Sequence, residues 1–505
     1  MTISPAVERL QELRQKPVYR NPYSAILTDL YQLTMMYGYY KSGRMNQRAV
    51  FDLFFRRNPF QNGFALAAGL EEVIMFLTGL QFQEEDIEYL RSLNLFDEDF
   101  LGELQRFRFR GTVYAVQEGT VVFPNIPLMR FEGRIFELQL VESACLSFIN
   151  HQTLIATKAA RMVQATRGEL FNLSHESVEF GLRRAQNADA ATFGSRASYI
   201  GGFVGTSNVY AGQNFGIPVV GTQAHSWIQS FPTELEAFRA YAATYPDRTT
   251  LLVDTYDTLK SGIPNAIQVG RELREKGYEL RGIRLDSGDL AWLSKEARRM
   301  LDEAGFPNVK ILASGDLNEY VVRDLMLQGA RIDTWCFGTA LITGDDCPAL
   351  GGVYKLVAEE ENGVMIPKIK VSENPDKITN PGYKRAVRLY LEDGKATADL
   401  IMLAEEQLDP SRPLTLFHPI HTYKRKTIRN FTVEELLVPI LVNGEIVYQL
   451  PHVEQIRARA AEQLEAMPRE IKRPINPHGY HVDLSEELWG LKQKLLKEAR
   501  GGSIS

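Results

Sequence analysis

The sequence predicts an α/β protein built on a central parallel sheet or barrel, with a mixed helix-and-sheet region before it and a β-rich region after it. Three observations carry this. Between residues 219 and 341 strand-like runs end in polar, glycine-containing loops; amphipathic helical segments lie between them; and the strand starts recur about every 20 to 32 residues, the length of one β-α unit.

The elements are taken in order. Ser24 to Tyr40 has helical period, with Thr28 or Asp29 available as cap, and its tyrosines (Tyr31, Tyr37, Tyr39, Tyr40) read as a mostly buried stripe. Ala49 to Phe55 alternates like a strand and ends at Arg56, Arg57, Asn58 and Pro59. Residues 65 to 110 look helical and acidic, and from Gly111 the texture turns to β. These stretches make up an expected first domain, 1–140. Glu142 to Arg161 opens a long helix with small residues on one side, suited to close packing and to bridging domains.

Strand-like runs follow at 219–226, 250–258, 280–290, 309–317 and 332–341, with segments such as NAIQVGRELREKG and SKEARRMLDEAG between them, each closing on a glycine as a helix C-cap does. The expected barrel domain is 141–350. From 351 to 505 the chain is β-rich, then helical, and is expected to pack partly on the N-terminal domain. No repeat of solenoid period and no low-complexity linker interrupts it.

Composition bounds the function. The 505 residues are 44% hydrophobic and 24% charged, enough to bury the cores of two or three domains. A net charge of -6 provides no overall attraction for nucleic acid or an anionic membrane, so neither is an expected partner. Cys145, Cys336 and Cys347 show no metal-type spacing, and their odd number argues against a disulfide framework, which suits a cytoplasmic location. The first residues, MTISPAVERLQELRQK, carry charges where a signal peptide needs its apolar core, and no apolar run reaches membrane-spanning length.

In such folds reactive groups gather where the strands end. Here those ends hold His225, Asp254, Asp257, Arg284, Asp286, Asp289, Ser314, Gly315, Asp316, Gly338 and Thr339. Helix caps and turn formers account for about half of these individually, and the whole set poorly. Asp254, Asp257, Asp286 and Asp289 form two acidic pairs suited to hard metal ions or sugar hydroxyls. Ser314-Gly315 and Gly338-Thr339 follow the last two strands, where small residues let backbone N–H groups approach a phosphate. Upstream, Arg183 and Arg184 can neutralise a pyrophosphate, and Phe180 can stack on a flat ring. Together these suit a phosphoribosyl pyrophosphate donor and a heteroaromatic acceptor. A lone histidine after an apolar strand is usually structural, and His225 joins the set only through its place on the rim.

The stretches TDLYQLTM (28–35), FDLFFRRNPF (51–60), EFGLRRAQ (179–186), ASYIGGFVGTSN (197–208), GTQAHSWI (221–228), LVDTYDT (252–258), IRLDSGDL (283–290) and CFGTALIT (336–343) together resemble the nicotinate phosphoribosyltransferase family of NAD salvage. The resemblance runs in order from residue 28 to about 355, and more loosely through NPGYKR and PHGYHVDLS. It implies an irregular β/α barrel with an N-terminal open-sheet domain, in a homodimer whose sites take residues from both subunits. The implied reaction makes nicotinate mononucleotide and pyrophosphate from nicotinate and phosphoribosyl pyrophosphate with Mg2+, driven by ATP hydrolysis through a phosphohistidine. His225 in AHSW matches that histidine.

Carried over by position, Phe180 and a partner's Tyr31-equivalent ring sandwich the pyridine, and Arg183 contacts phosphates of donor or acceptor. Asp254 and Asp286 hold ribose hydroxyls and Mg2+, and Arg284 lies beside the ring. Ser314-Gly315 and Gly338-Thr339 bind the 5'-phosphate, and Arg57 is expected to reach across the dimer to pyrophosphate. Related nicotinamide-using enzymes carry an aspartate near the position of Ser207. A serine donates to a nicotinate carboxylate that an aspartate would repel, which favours the acid over the amide. The rival readings are nicotinamide or quinolinate phosphoribosyl transfer, a metal-dependent barrel lyase, and a silent nucleotide-binding protein.

Overall fold

The computed structural model describes residues 23–166, 175–421 and 423–500. The leader read above as lacking a signal peptide lies outside them. Among the described residues no helix is long and apolar enough to cross a membrane.

The central sheet has six strands, all parallel: β1 Glu176–Glu179, β2 Gly205–Thr206, β3 Thr250–Leu252, β4 Gly282–Leu285, β5 Lys310–Ala313 and β6 Thr334–Phe337, in the order β2-β1-β6-β5-β4-β3. The expected strands at 250, 280, 309 and 332 are all present. The expected buried strand at Val219 is not. Val219 is 51% exposed and makes a single bridge to Thr206, with Thr206 N–H donating to Pro218 O and Val220 N–H to Thr206 O. Farther along the same segment, with its side-chain amide oriented to pair, buried Gln223 donates to Thr250 O and accepts from Leu252 N–H. One extended segment thus engages the β2 edge through its backbone and the β3 edge through a side chain, spanning the two edges of a parallel half-barrel sheet.

Helices cover the sheet's outer face. Leu290–Glu303 buries Ala291, Leu293, Ser294, Ala297 and Leu301, a stripe at helical spacing, while Arg299 on its outer side pairs with Glu296 and Glu303. The long helix expected from Glu142 runs to Thr166 and is buried almost continuously from Gln152 to Val163. Its small residues do permit close approach: a Cβ on Gly201 would lie 2.5 Å from Ala159 Cβ and 2.6 Å from Ala156 O.

A second sheet is antiparallel and joins distant parts of the chain. Arg48–Phe55 pairs on one side with Met129–Arg134 and on the other with Gly352–Glu361, while Thr112–Val116 pairs with Leu437–Val442. Strands from beyond residue 350 therefore complete the N-terminal sheet. A third, mixed sheet contains Lys384–Tyr390 and Ala396–Leu403.

The helix expected from Ser24 spans Leu30–Lys41 and is not capped by a side chain of Thr28 or Asp29. Ser143 Oγ donates to Asp29 Oδ2 at 2.6 Å and Thr28 Oγ1 donates to Leu140 O at 3.1 Å, so both residues tie this helix to its neighbours. Its tyrosine stripe is only partly core: Tyr37, Tyr39 and Tyr40 are half-buried, and Tyr31 is 48% exposed beside exposed Leu27, Leu30 and Met35.

Candidate active site

At the carboxyl ends of β3, β4 and β5 the backbone delivers Asp254, Arg284, Asp286 and Ser314 to one place. Arg284 is the centre. Its Nη2 donates to Asp286 Oδ1 at 2.6 Å, its Nε to Ser314 Oγ at 2.7 Å and its Nη1 to Thr222 Oγ1 at 3.1 Å. Ser314 Oγ in turn donates to Asp286 Oδ1. The guanidinium lies 5.3 Å from the ring of Phe180, a half-buried residue at the end of β1 whose N–H donates to Phe337 O at the end of β6.

His225 begins the short helix His225–Gln229. Its Nδ1 lies 3.1 Å from Thr255 Oγ1 and its Nε2 3.6 Å from Asp286 Oδ2, with the imidazole 40% exposed. Asp254 Oδ2 accepts from Asp286 N–H and from Ser287 Oγ, both at 2.8 Å, while its Oδ1 is buried without a hydrogen-bond partner. Desolvation pushes the Asp286 carboxyl up, but hydrogen bonds from Ser314 and Arg284, the Arg284 charge and the nearby His225 outweigh it and hold the group below its ordinary value.

The two acidic pairs separate. Asp257 caps the turn Thr258–Gly262 by accepting from Leu259 and Lys260 N–H, and Asp289 caps Leu290–Glu303 by accepting from Trp292 N–H. Only Asp254 and Asp286 belong to the cluster. Gly315 takes φ +113, and a Cβ there would meet Asp286 O at 2.8 Å, so the loop packs against the end of β4 only with glycine. Gly338 and Thr339 open the helix Thr339–Thr343, with Thr339 exposed.

The remaining candidates lie around this cluster or apart from it. Arg183 sits exposed on the turn Leu182–Arg184, after Phe180. Ser207 N–H donates to Glu179 O at 2.8 Å, which sets Ser207 beside the end of β1. Tyr31, on the helix of the antiparallel-sheet region, makes no ring contact with Phe180 among the described residues. Arg57 Nη2 donates to Asp376 Oδ2 at 3.2 Å and its side chain is 81% exposed.

Sequence reasoning missed three contributors. Thr222 and Thr255 hold Arg284 and His225, and no local pattern marks a threonine for that task. Glu179 is fully buried below Phe180, accepting from Gly181 N–H, Ser195 Oγ and Thr206 Oγ1, and burial pushes its carboxyl up.

The chain resembles known proteins in sequence and fold. Three successive family descriptions match: nicotinate phosphoribosyltransferase N-terminal domain over residues 26–150, the nicotinate phosphoribosyltransferase family over 175–309, and its C-terminal domain over 383–492. The chain is 46% identical over 474 residues to nicotinate phosphoribosyltransferase of Bacillus subtilis (strain 168), covering 94% of this chain and 95% of that one. It is 35% identical to the Homo sapiens enzyme of that name over 537 residues, covering 95% and 98%. The crystal structure of human nicotinic acid phosphoribosyltransferase superposes with a TM-score of 0.81 at 33% identity, covering 93% of this chain and 100% of that one. A nicotinate-nucleotide pyrophosphorylase from Pyrococcus furiosus shares the fold alone, with a TM-score of 0.66 at 23% identity over 88% and 95%. With family matches through all three parts of the chain and relatives aligned along nearly its whole length, the chain belongs to the nicotinate phosphoribosyltransferase family.

Proposed function

We propose that this chain transfers a phosphoribosyl group from phosphoribosyl pyrophosphate to nicotinate, making nicotinate mononucleotide and pyrophosphate, and couples the transfer to ATP hydrolysis through a phosphohistidine at His225. The observation that carries it is the convergence of Arg284, Asp254, Asp286 and His225 beside Phe180 at the carboxyl ends of one parallel sheet.

In the transfer, the pyridine nitrogen forms a bond to the sugar C1 as the bond from C1 to the pyrophosphate oxygen breaks. Positive charge grows on the sugar and negative charge on the leaving group. Asp254 and Asp286 stand on the sugar's side of this separation, bind its hydroxyls and stabilise the cation. Phe180 stacks on the pyridine, with Tyr31 of the partner subunit on its other face in a homodimer. Ser207 donates to the nicotinate carboxylate and Arg284 lies beside it. Arg183 and, across the dimer, Arg57 meet the phosphates, and the loops at Gly315 and Gly338-Thr339 take the 5'-phosphate. Ser314 acts through its hold on Asp286 and Arg284. The exposed apolar residues Leu27, Leu30 and Met35 beside Tyr31 support the dimer.

Mg2+ fits the donor set as an ion held by few protein ligands. Asp254 Oδ1 is a buried oxygen without a hydrogen-bond partner, and Asp254 Oδ2 accepts from the N–H of Asp286, the second carboxylate of the cluster. Bound by these carboxylates and by oxygens of the donor, it would neutralise the diphosphate as charge develops there.

For the ATP-driven half, Thr255 fixes the imidazole. With Nδ1–H donating to Thr255 Oγ1, the lone pair of Nε2 is free to attack the γ-phosphorus of ATP, the bond to the β-phosphate oxygen breaks and ADP leaves. Water later discharges the phosphohistidine as inorganic phosphate. The test is turnover of nicotinate, nicotinamide and quinolinate with phosphoribosyl pyrophosphate, with and without ATP. Nicotinate should be preferred and ATP should raise its turnover. Preference for the amide, or equal rates without ATP, would overturn the specificity or the coupling respectively.

A further inference from the structure

Away from the sugar and ring, the long helix Glu142–Thr166 carries two cations that no step above uses, Lys158 and Arg161, each with a side chain only 1% exposed. A buried ammonium persists only where carboxylates compensate it. Lys158 Nζ lies 3.1 Å from Glu319 Oε2, 3.1 Å from Asp345 Oδ1 and 2.7 Å from Asp346 Oδ1. Arg161 Nε donates to the same Glu319 at 2.9 Å.

The origin of these carboxylates is informative. Glu319 opens the helix Glu319–Leu327, directly after the loop that begins at Ser314 and Gly315. Asp345 and Asp346 follow the helix Thr339–Thr343, which opens at Gly338. They are 41% and 38% exposed, so the shared ammonium is what ties them inward. A third stretch arrives at the same helix: the ring of Phe60, three residues after Arg57, lies 4.9 Å from Lys158 Nζ, and Asn62 Oδ1 accepts from Arg161 Nη1 at 3.1 Å. All three stretches carry groups assigned to donor phosphates, the first two in this subunit's site and Arg57 across the dimer; none carries the pyridine platform at Phe180 or Ser207.

We propose that Lys158 and Arg161 are positioning residues that lock the phosphate-binding loops of the donor site to one helix, so that they set affinity for phosphoribosyl pyrophosphate without setting affinity for the acceptor. The inference rests on the phosphoribosyl-transfer reading. A purely structural ion pair would lower stability and the yield of folded enzyme, leaving both KM values of the folded fraction where they were.

The test uses Lys158→Met and Asp346→Asn in the full chain, with donor and nicotinate varied in turn and the thermal midpoint measured alongside. Loss of charge-assisted bonds in Lys158→Met should raise the donor KM by about tenfold or more, and in Asp346→Asn by about threefold, with the nicotinate KM within about twofold of wild type in both. The half-exposed Asp346 keeps the question open to measurement if Lys158→Met does not fold. A shift of both KM values together, a change in kcat alone, or a donor KM in Asp346→Asn indistinguishable from wild type overturns the inference while wild-type turnover upholds the functional reading. Wild type that makes no product from phosphoribosyl pyrophosphate overturns both.

Discussion

Replacing Asp286 by asparagine keeps the shape of the cluster and removes its charge. Asp286 Oδ1 accepts from Arg284 and Ser314, and Oδ2 faces His225 Nε2 at 3.6 Å. Arginine and carboxylate centres about 4 Å apart at an effective dielectric constant of about 20 attract by about 4 kcal/mol, part of which offsets desolvation. Charge-assisted hydrogen bonds contribute about 1.5–3 kcal/mol net. A loss of about 3 kcal/mol of transition-state stabilisation corresponds to about 150-fold in kcat/KM. Initial rates of nicotinate mononucleotide formation with donor varied at saturating nicotinate measure it. A kcat/KM within about threefold of wild type would refute the assignment of this carboxylate to the reacting sugar. The same group carries a linkage signature. Its native pKa is depressed, so its contribution to stability is present above its ordinary value of 3.8 and is lost as pH falls through the native value. Asp286→Asn should therefore flatten the acid limb of the stability curve.

Three further outcomes are expected. Thr255→Val removes the hydrogen bond at His225 Nδ1, worth about 0.5–1.5 kcal/mol, and should lower the ATP-stimulated part of turnover by about two- to tenfold while ATP-independent turnover stays unchanged. Ser207→Asp places a carboxylate against the nicotinate carboxylate and should cut kcat/KM for nicotinate by about 30-fold or more while raising that for nicotinamide, which parallel assays of the two pyridines will show. Glu72 is buried, and desolvation outweighs the hydrogen bonds from Gln152 and Tyr23 to raise its carboxyl from 4.5 to about 7. A carboxyl raised in the native state binds its proton more tightly when folded, so stability falls as pH rises from about 4.5 through about 7, by about 3 kcal/mol in all. Denaturation midpoints at the two ends of that window should differ less in Glu72→Gln than in wild type.

The strands at 250, 282, 310 and 334 were legible because each is a short apolar run followed by a polar loop and a helix with a glycine near its end. The segment at Val219 has the same apolar texture but a different role. The helix before it ends at Gly216 with φ +71, and the chain then lies along β2 for one bridge before Gln223 turns its amide onto β3. A side chain substituting for a strand's hydrogen bonds leaves no periodic mark. β1 and β2 escaped for a related reason, since ESVE and GT are too short and too polar to declare a strand.

The antiparallel sheet shows a different limit. That Arg48–Phe55 is a strand was plain from its alternation, but that its neighbour is Gly352–Glu361 depends on a register such as Phe51 opposite Leu356, set by packing across some 300 residues of intervening chain. Within the candidate site, the charged and aromatic members could be named from strand ends and from the family resemblance. What separated Asp254 and Asp286 from Asp257 and Asp289 was geometry: the latter two each precede a helical turn and spend their oxygens on its free N–H groups.

The most direct test is release of labelled pyrophosphate from phosphoribosyl pyrophosphate labelled in its β-phosphate. The account predicts release that requires nicotinate, matches nicotinate mononucleotide one for one, rises with ATP and is lost or greatly slowed in Asp254→Asn and Asp286→Asn. Release that proceeds equally without nicotinate, or no release under any of these conditions, would contradict it.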